Sequence, residues 1–103
     1  MVTGFKDKIY SQLKKVPEGR VTTYKELAKI VDSRAYRVVG RIMNMNPYAP
    51  EVPCHRVVNS DGSIGGYAGG VDEKVKMLES EGVEVKDNRI VDFQKKLFTF
   101  NLE

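Results

Sequence analysis

The chain has 103 residues, of which 41% are hydrophobic and 30% charged, a balance typical of one small globular domain rather than a disordered tail or a multidomain enzyme. Its 17 basic and 14 acidic residues give a net charge of +3, which is compatible with a nucleic-acid partner without establishing one. No apolar run approaches the ~18 residues of a membrane span, and the first residues lack the apolar segment of a signal peptide, so we expect a cytoplasmic protein with no membrane partner.

The chain opens with a predicted amphipathic helix. Its apolar side chains recur at helical spacing, while the positions between them are mostly charged or polar. The apolar positions are Phe5, Ile9, Leu13 and Val16, and the segment 17–19 (PEG) ends the helix. A second helix is predicted to follow Thr23. Thr23 and Glu26 match the capping-box pattern, in which the threonine caps the helix and the glutamate reaches back to it.

A third helix is predicted from about Arg34 to Met45, and the segment 46–47 (NP) ends it. Two short helices joined by the polar break at 32–33 suggest helix-turn-helix geometry. At about 100° per residue, the third helix has one polar face and one apolar stripe. The polar face consists of Arg34, Arg37, Arg41 and Asn44, and the stripe of Ala35, Tyr36, Val39, Ile42 and Met43. Such a face is typical of a recognition helix that contacts DNA phosphates, although helical spacing alone favours an ordinary solvated face.

The middle of the chain is predicted to be a proline-rich loop followed by a β-hairpin. Prolines in the segment 47–53 exclude helix and indicate an extended loop that places Cys54. The hairpin would pair residues 57–58 with 63–64 around a turn at 59–62 (NSDG), and it would serve as a wing. The expected fold is therefore mainly α within the α+β class, a winged helix-turn-helix-like domain with a small hairpin.

The carboxyl-terminal part begins with a glycine-rich segment at 65–70. Tyr67 stands where a dinucleotide motif has its second glycine, and a phosphate loop's lysine is absent, so no nucleotide cofactor is indicated. The segment is either a rim over a pocket, with Tyr67 as its flat face, or an ordinary flexible turn. A helix follows, marked by the inward positions Val71, Val75 and Leu78, and it stops near Gly82. The segment 83–100 is ambiguous between a short strand and a terminal helix.

Cys54 is the only cysteine, so it cannot form an internal disulfide, and with one histidine there are too few soft ligands for a structural zinc site. His55 and Arg56 follow it, and both side chains favour a thiolate over a thiol. Adjacent residues of an extended segment point to opposite faces, so Cys54 and His55 can interact only if the backbone bends or a water intervenes. Spacing alone leaves open a buried cysteine beside a satisfied histidine.

The hexapeptide at 53–58 (PCHRVV) resembles the active-site signature of the O6-alkylguanine-DNA alkyltransferases. The resemblance runs from about Phe5 to Val85 and includes the segments 21–28 (VTTYKELA), 46–47 (NP), 65–70 (GGYAGG) and 81–82 (EG). It implies the methylated-DNA–protein-cysteine S-methyltransferase reaction, in which the protein takes the alkyl group from O6-alkylguanine in double-stranded DNA. For a domain that clamps one DNA site, we expect a monomer. The family needs no cofactor, and each molecule acts once.

The resemblance also implies how DNA is handled. The helix-turn-helix enters the minor groove, and the damaged guanine is flipped into a pocket beside the cysteine. Arg37 matches the arginine that fills the gap in the base stack, and Tyr24 matches the tyrosine that crowds the 3′ phosphate. Each has a simpler alternative, since Arg37 can be a plain phosphate contact and Tyr24 a hydrophobic staple.

For the chemistry, the resemblance implies that Cys54 accepts the alkyl group, that His55 acts on it through water as a base, and that Glu81 orients the histidine. Asn46 matches the turn residue that braces the third helix against the active-site loop. The pocket for the guanine is assigned to four positions, which are Tyr67, Met43 and the backbone around Val57 and Ala68.

Three features bear on how far the resemblance reaches. Family members usually have a further N-terminal domain, whereas here we expect residues 1–103 to form a single catalytic and DNA-binding domain. Domain-only relatives, the alkyltransferase-like proteins, bind alkylated guanine without removing it and flag it for nucleotide excision repair proteins, but they usually have tryptophan where this chain has Cys54. Ala68 replaces a serine common among transferring members, which implies a slower reaction or altered substrate preference.

A winged-helix transcription regulator is an alternative function. It would explain the helices but not the cysteine signature.

Overall fold

The structure is a computed structural model, and it describes residues 5–30, 36–45, 52–67 and 69–100. Within these ranges the chain forms five α-helices, four short strands and one 3-10 turn. In chain order they are α1 (Phe5–Leu13), β1 (Thr22–Thr23), α2 (Tyr24–Ile30), α3 (Tyr36–Asn44), the 3-10 turn (Cys54–Arg56), β2 (Val57–Val58), α4 (Val71–Ser80), β3 (Val85–Lys86), β4 (Arg89–Ile90) and α5 (Phe93–Lys96). The α+β class expected from the sequence is confirmed.

The first three helices build the larger of two hydrophobic clusters. α2 packs against both α1 and α3, and the Tyr10 hydroxyl of α1 donates a hydrogen bond to the Ile42 carbonyl of α3 at 2.8 Å. The inward positions predicted for α1 are confirmed where the structure describes them, because Ile9, Leu13 and Val16 are fully buried. Burial of Val39, Ile42 and Met43 in the same cluster orients α3, which presents its other face outward.

The predicted cap of α2 is half confirmed. The Glu26 backbone N–H donates to Thr23 Oγ1 at 3.1 Å, as in a capping box. The prediction that Glu26 reaches back is wrong, because its carboxylate accepts hydrogen bonds from Lys29 Nζ at 2.7 Å and from the Phe100 backbone N–H at 3.2 Å. A donor from the distant end of the chain thus takes the place of the local one.

The hairpin predicted at 57–64 is wrong. Strand β2 pairs instead in parallel with β1, with Thr22 opposite Val57 and Thr23 opposite Val58. The segment 59–62 is still a tight turn, closed by the Gly62 N–H donating to the Asn59 carbonyl at 2.9 Å. The hairpin of the described chain is β3–β4, whose two turn residues, Asp87 and Asn88, have φ of 52° and 62°. Positive φ at both positions is what a two-residue hairpin turn requires.

The ambiguous carboxyl-terminal segment folds back over both clusters. After the β3–β4 hairpin and α5, the chain passes beside β1, where Phe98 N–H donates to the Val21 carbonyl at 2.6 Å. Arg20 holds this segment through hydrogen bonds to the carbonyls of Lys96 at 3.0 Å and Leu97 at 2.8 Å. The chain at 21–23 therefore pairs both with β2 and with this returning segment.

The predicted inward face of α4 is confirmed for Leu78, which is buried, and for Val75, which packs against the same cluster, but not for Val71. Val71 was expected to face inward but is 42% exposed, whereas Lys74 is fully buried together with Leu78. The inward face of α4 therefore contains the buried ammonium group of Lys74, which donates a hydrogen bond to β2. None of the described helices combines the length and the apolar character needed to cross a bilayer.

Candidate functional site

A 3-10 turn at Cys54–Arg56 brings the thiol and the imidazole into the protein together. The turn is closed by the Arg56 N–H donating to the Pro53 carbonyl at 2.9 Å. Cys54 is 5% exposed and His55 1% exposed, so both side chains are buried although they are adjacent in sequence. The backbone bend that the Cys54–His55 pair needed is therefore present, and it replaces the extended conformation in which they would point apart.

A carboxylate from the end of α4 holds the imidazole. His55 Nε2 lies 2.9 Å from Glu81 Oε2, and Arg56 donates to both oxygens of the same carboxylate, from Nε at 2.9 Å and from Nη2 at 2.6 Å. Burial by itself raises the pKa of Glu81, but the hydrogen bonds from Arg56 and His55 outweigh it and hold that pKa below its ordinary value. An ionised carboxylate only accepts hydrogen bonds, so the proton in the contact belongs to His55 Nε2.

The second ring nitrogen of His55 is left free to act. Nδ1 is buried and has no hydrogen-bond partner among the described residues. When Nε2 carries the proton of a neutral imidazole, Nδ1 presents a lone pair. A buried lone pair on an imidazole held by a carboxylate is the arrangement that a general base requires.

Two tyrosines flank the thiol as protonated hydroxyls. Burial, followed by the charge of Cys54, raises the pKa of Tyr24. Burial also raises the pKa of Tyr67, and the charge of Cys54 and a hydrogen bond with it act in the same direction. The Tyr67 hydroxyl also donates to Met77 Sδ at 3.5 Å. Both tyrosines therefore remain hydrogen-bond donors at neutral pH.

The glycine-rich segment supports the ring of Tyr67. A side chain at Gly69 would place its Cβ 3.0 Å from Tyr67 Cε2, so the ring would have to shift by a few tenths of an ångström to accommodate it. The Gly70 N–H donates to the Tyr67 carbonyl at 3.0 Å and closes a turn around it. Gly69 and Gly70 thus lie against the ring and the backbone of Tyr67.

Lys74 is a buried residue next to the site that was not predicted from the sequence. Its ammonium donates to the carbonyls of Val57 at 2.6 Å, Ile64 at 2.6 Å and Gly66 at 3.1 Å. Burial lowers the pKa of Lys74 to about 8, against the opposing effect of Cys54. The available signal was its position four residues before Leu78, which places both on the inward face of α4.

A cavity of about 780 Å³ lies between the helices and the 59–62 turn. This is the volume of a typical small-ligand pocket. Its described walls are Tyr24, Lys25, Arg37, Gly40 and Asn44 on one side and Asn59, Ser60, Asp61 and Gly66 on the other. Cys54 and His55 are not among these wall residues. Of the wall residues, Gly66 directly precedes Tyr67, whose pKa is raised in part by Cys54.

The predicted two-faced character of α3 is confirmed for its described side chains. Arg37, Arg41 and Asn44 are exposed, and of these Arg37 and Asn44 line the cavity. The opposite stripe is buried, namely Val39, Ile42 and Met43, and Met43 belongs to the same cluster as Cys54. The carbonyl of Val57, predicted to contact a guanine, accepts the Lys74 hydrogen bond. Three further predicted site residues, Arg34, Asn46 and Ala68, lie outside the described residues.

Comparison with known proteins gives a consistent family. The profile described as 6-O-methylguanine DNA methyltransferase, DNA binding domain, matches residues 4–83. The methylated-DNA–protein-cysteine methyltransferase of Thermococcus kodakarensis is 50% identical over 84 residues, which are 81% of this chain and 47% of that protein. The chain spans about half the length of the curated methyltransferases of this kind that it matches, as the 51% coverage of the Methanosarcina barkeri protein also illustrates.

Solved structures agree with the sequence comparison. The chain is similar to S. pombe Atl1, solved in complex with damaged DNA containing O6-carboxymethylguanine, with a TM-score of 0.80, 31% identity, and coverage of 92% of this chain and 94% of that one. It is also similar to Mycobacterium tuberculosis OGT in complex with DNA, with a TM-score of 0.73, 37% identity, and coverage of 80% and 51%.

Proposed function

Because this chain belongs to the 6-O-methylguanine DNA methyltransferase family through its DNA-binding domain, we propose that it repairs DNA by taking the alkyl group of O6-alkylguanine onto Cys54. The observation that carries the proposal is the 3-10 turn that buries Cys54 beside His55, whose Nε2 lies 2.9 Å from Glu81. A thiol, an imidazole and a carboxylate in this order form a nucleophile, a base and an orienting group.

The reaction follows from these groups. His55 Nδ1 takes the Cys54 proton through a water molecule, and the Cys54 sulfur attacks the alkyl carbon of the lesion. A carbon–sulfur bond forms as the carbon–O6 bond breaks, and the electron pair of the broken bond stays on the guanine. The Tyr67 hydroxyl, which its environment keeps protonated, donates to the departing guanine and supports its return to a neutral base. The thioether is stable to water, so each chain acts once.

The cavity is the proposed entry for the damaged base. An enzyme cannot reach O6 of a stacked guanine for this chemistry, so the base is flipped out of the duplex. Arg37 lines the cavity from α3 and would occupy the gap in the base stack, and Tyr24 at the start of α2 would crowd the adjacent phosphate.

Conversion of the lesion to guanine in a DNA duplex tests the proposal. One equivalent of protein should convert one equivalent of O6-methylguanine in a duplex to guanine, and a yield that leaves all lesions intact would refute transfer.

Truncation of Arg37 tests the stack-filling role. We expect Arg37→Ala to slow lesion processing roughly tenfold or more, because about 1–3 kcal/mol of contact is lost at the opened base pair. Lys14→Ala, which removes an exposed charge from the end of α1, is the matched control and should change the rate less than about twofold. Single-turnover rates on the same duplex measure both. Equal effects of the two substitutions would argue against a stack-filling arginine.

Gly40 tests how closely DNA approaches α3. A Cβ added at Gly40 would meet no protein atom within 4 Å, so the fold does not require glycine there, although a helix interior loses ~0.5–1 kcal/mol by having it. We expect Gly40→Ala to raise the free energy of unfolding by about that amount and to weaken duplex binding about threefold or more, because the new methyl group meets the DNA. Urea unfolding and fluorescence anisotropy measure the two effects. Unchanged DNA affinity would mean that DNA does not contact Gly40.

A second candidate function is lesion recognition without transfer, as a protein that marks alkylated guanine for nucleotide excision repair. The similarity to Atl1 over nearly the full length of both chains favours it. The chain would then bind the damaged duplex tightly and leave the alkyl group in place. Retention of Cys54 beside His55 and Glu81 places transfer first, since binding alone gives no use for a base-activated thiol.

A further inference from the structure

The hydroxyl of Tyr67 contacts a methionine of α4. It donates a hydrogen bond to Met77 Sδ at 3.5 Å, and both residues are half-buried. Other contacts fix the rest of the tyrosine, because its carbonyl accepts from the Gly70 N–H at 3.0 Å and its ring packs against the core cluster that contains Cys54. The direction of the hydroxyl therefore depends on the acceptor that the side chain at position 77 provides.

A thioether is a weak acceptor, and this suits a hydroxyl that has to change partners. The sulfur of Met77 orients the O–H group of Tyr67 but competes poorly with a stronger acceptor. The O6 atom of a departing guanine is such an acceptor, because it gains negative charge as its bond to the alkyl carbon breaks. The hydroxyl can therefore turn from the sulfur to the guanine at little cost.

The same sulfur can be oxidised. Hydrogen peroxide converts methionine to its sulfoxide: the O–O bond breaks, one oxygen atom bonds to the sulfur, the sulfur loses two electrons, and water leaves. Met77 is half-buried, so solvent reaches this residue, whereas Met43 is only 4% exposed. A sulfoxide oxygen is a strong acceptor, and on a sulfur 3.5 Å from the Tyr67 hydroxyl it can lie within hydrogen-bond distance of that hydroxyl.

We propose that Met77 is an oxidation-sensitive positioning residue, which releases the Tyr67 hydroxyl to the guanine when it is a thioether and retains that hydroxyl when it is a sulfoxide. The inference rests on the proposed function for the role of Tyr67 as a donor. It goes further by assigning a modification site to α4 and by making alkyl transfer sensitive to peroxide. Met77 is not among the described wall residues of the cavity, so its oxidation should change the transfer step rather than DNA binding.

Alkyl transfer by peroxide-treated protein tests the proposal. Peroxide also oxidises thiols, so the treated protein is reduced with dithiothreitol, its Cys54 thiol is titrated, and peptide mapping verifies one added oxygen on Met77. We expect single-turnover transfer to slow about fivefold or more, because one additional hydrogen bond has to break, while affinity for the damaged duplex stays within about twofold. Methionine sulfoxide reductases should restore the rate.

Two variants separate Met77 from the other methionines. Met77→Leu keeps the volume and removes the sulfur, so peroxide should change its transfer rate less than about twofold. Met45→Leu removes a methionine that is 53% exposed, and it should respond to peroxide as the wild type does. An equal loss of rate in Met77→Leu and the wild type would overturn the proposal. So would undiminished transfer by protein oxidised at Met77, or a Met77 that stays reduced while Met45 is oxidised.

A measurement without DNA separates this inference from alkyl transfer. In protein isotopically labelled at Cζ of tyrosine, the resonance of Tyr67 is assigned by its loss in Tyr67→Phe. Because Cζ bears the hydroxyl, oxidation should shift this resonance in the wild type and leave it unchanged in Met77→Leu. An unshifted Tyr67 resonance in protein oxidised at Met77 would refute retention of the hydroxyl even if transfer proceeds. A shifted resonance in a chain that transfers no alkyl group would refute the proposed function alone.

Discussion

Replacing Cys54 by serine is expected to abolish alkyl transfer and to leave binding of the damaged duplex within about threefold of the wild type. The hydroxyl is similar in size to the thiol, but it is a far weaker nucleophile at neutral pH, so transfer should fall by about 10³-fold or more. Binding is preserved because the cavity walls, including Tyr24 and Arg37, do not contain Cys54. Single-turnover conversion of the lesion and anisotropy on the same duplex measure the two properties.

The stability of this variant needs a separate check. Cys54 lies in the hydrophobic cluster with Met43 and is 5% exposed, so a buried hydroxyl should cost about 1 kcal/mol of unfolding free energy. Urea unfolding measures this cost and shows that the protein is folded in the binding assay. Transfer by Cys54→Ser at a rate near that of the wild type would mean that another group accepts the alkyl group.

Substitution of Glu81 should have the second largest effect on alkyl transfer, because its carboxylate forms hydrogen bonds with both His55 and Arg56. Glu81→Gln keeps the shape but removes the charge that orients the imidazole, and we expect transfer to slow about 100-fold. Glu81→Ala also leaves Arg56 without its carboxylate and should lower the unfolding free energy by about 2 kcal/mol, less than a fully buried pair because the site is partly open to solvent. Glu79→Gln, an exposed change on the same helix, is the control.

The pH dependence of stability follows from the same carboxylate. The pKa of Glu81 in the folded protein lies below its ordinary value of 4.5, so the folded state binds its proton less readily than the unfolded chain does. The resulting stabilisation is complete above pH 4.5 and is lost as the pH falls through the folded value. Wild type should therefore lose stability in acid more steeply than Glu81→Gln. If the stability of the two proteins fell equally in acid, or if Glu81→Gln left the transfer rate unchanged, Glu81 would not be the group that orients His55.

Local patterns predicted the local parts of this fold. The buried face of α1, the Thr23 cap and the stripe of α3 depend on neighbours within one helix, and they are found where periodicity and capping place them. The pairing of β2 was not accessible in this way. The segment 59–62 does form the predicted turn, but β2 pairs with β1 rather than with residues 63–64. In this parallel pairing both Val57 and Val58 are buried.

The candidate site was likewise predicted only in part from the sequence. The motif at 53–58 and the family resemblance pointed to Cys54, His55 and Glu81, and the structure brings the last two within 2.9 Å. Helical spacing put Lys74 on the same face as Leu78 but did not predict its burial, because that burial is compensated by three carbonyls from segments that only the folded chain brings together. Glu73 and Lys76, which are close to Lys74 on the helix, are exposed, so a lysine at position 74 would also be predicted to face solvent.

The mass of the intact protein tests alkyl transfer most directly. The chain is incubated with a duplex containing O6-methylguanine and, in parallel, with the same duplex containing guanine, and peptide mapping locates any added mass. We predict the gain of one methyl group on Cys54, only with the damaged duplex, and no gain for Cys54→Ser. Tight binding of the damaged duplex by a protein whose mass does not change would contradict transfer and would instead support lesion recognition alone.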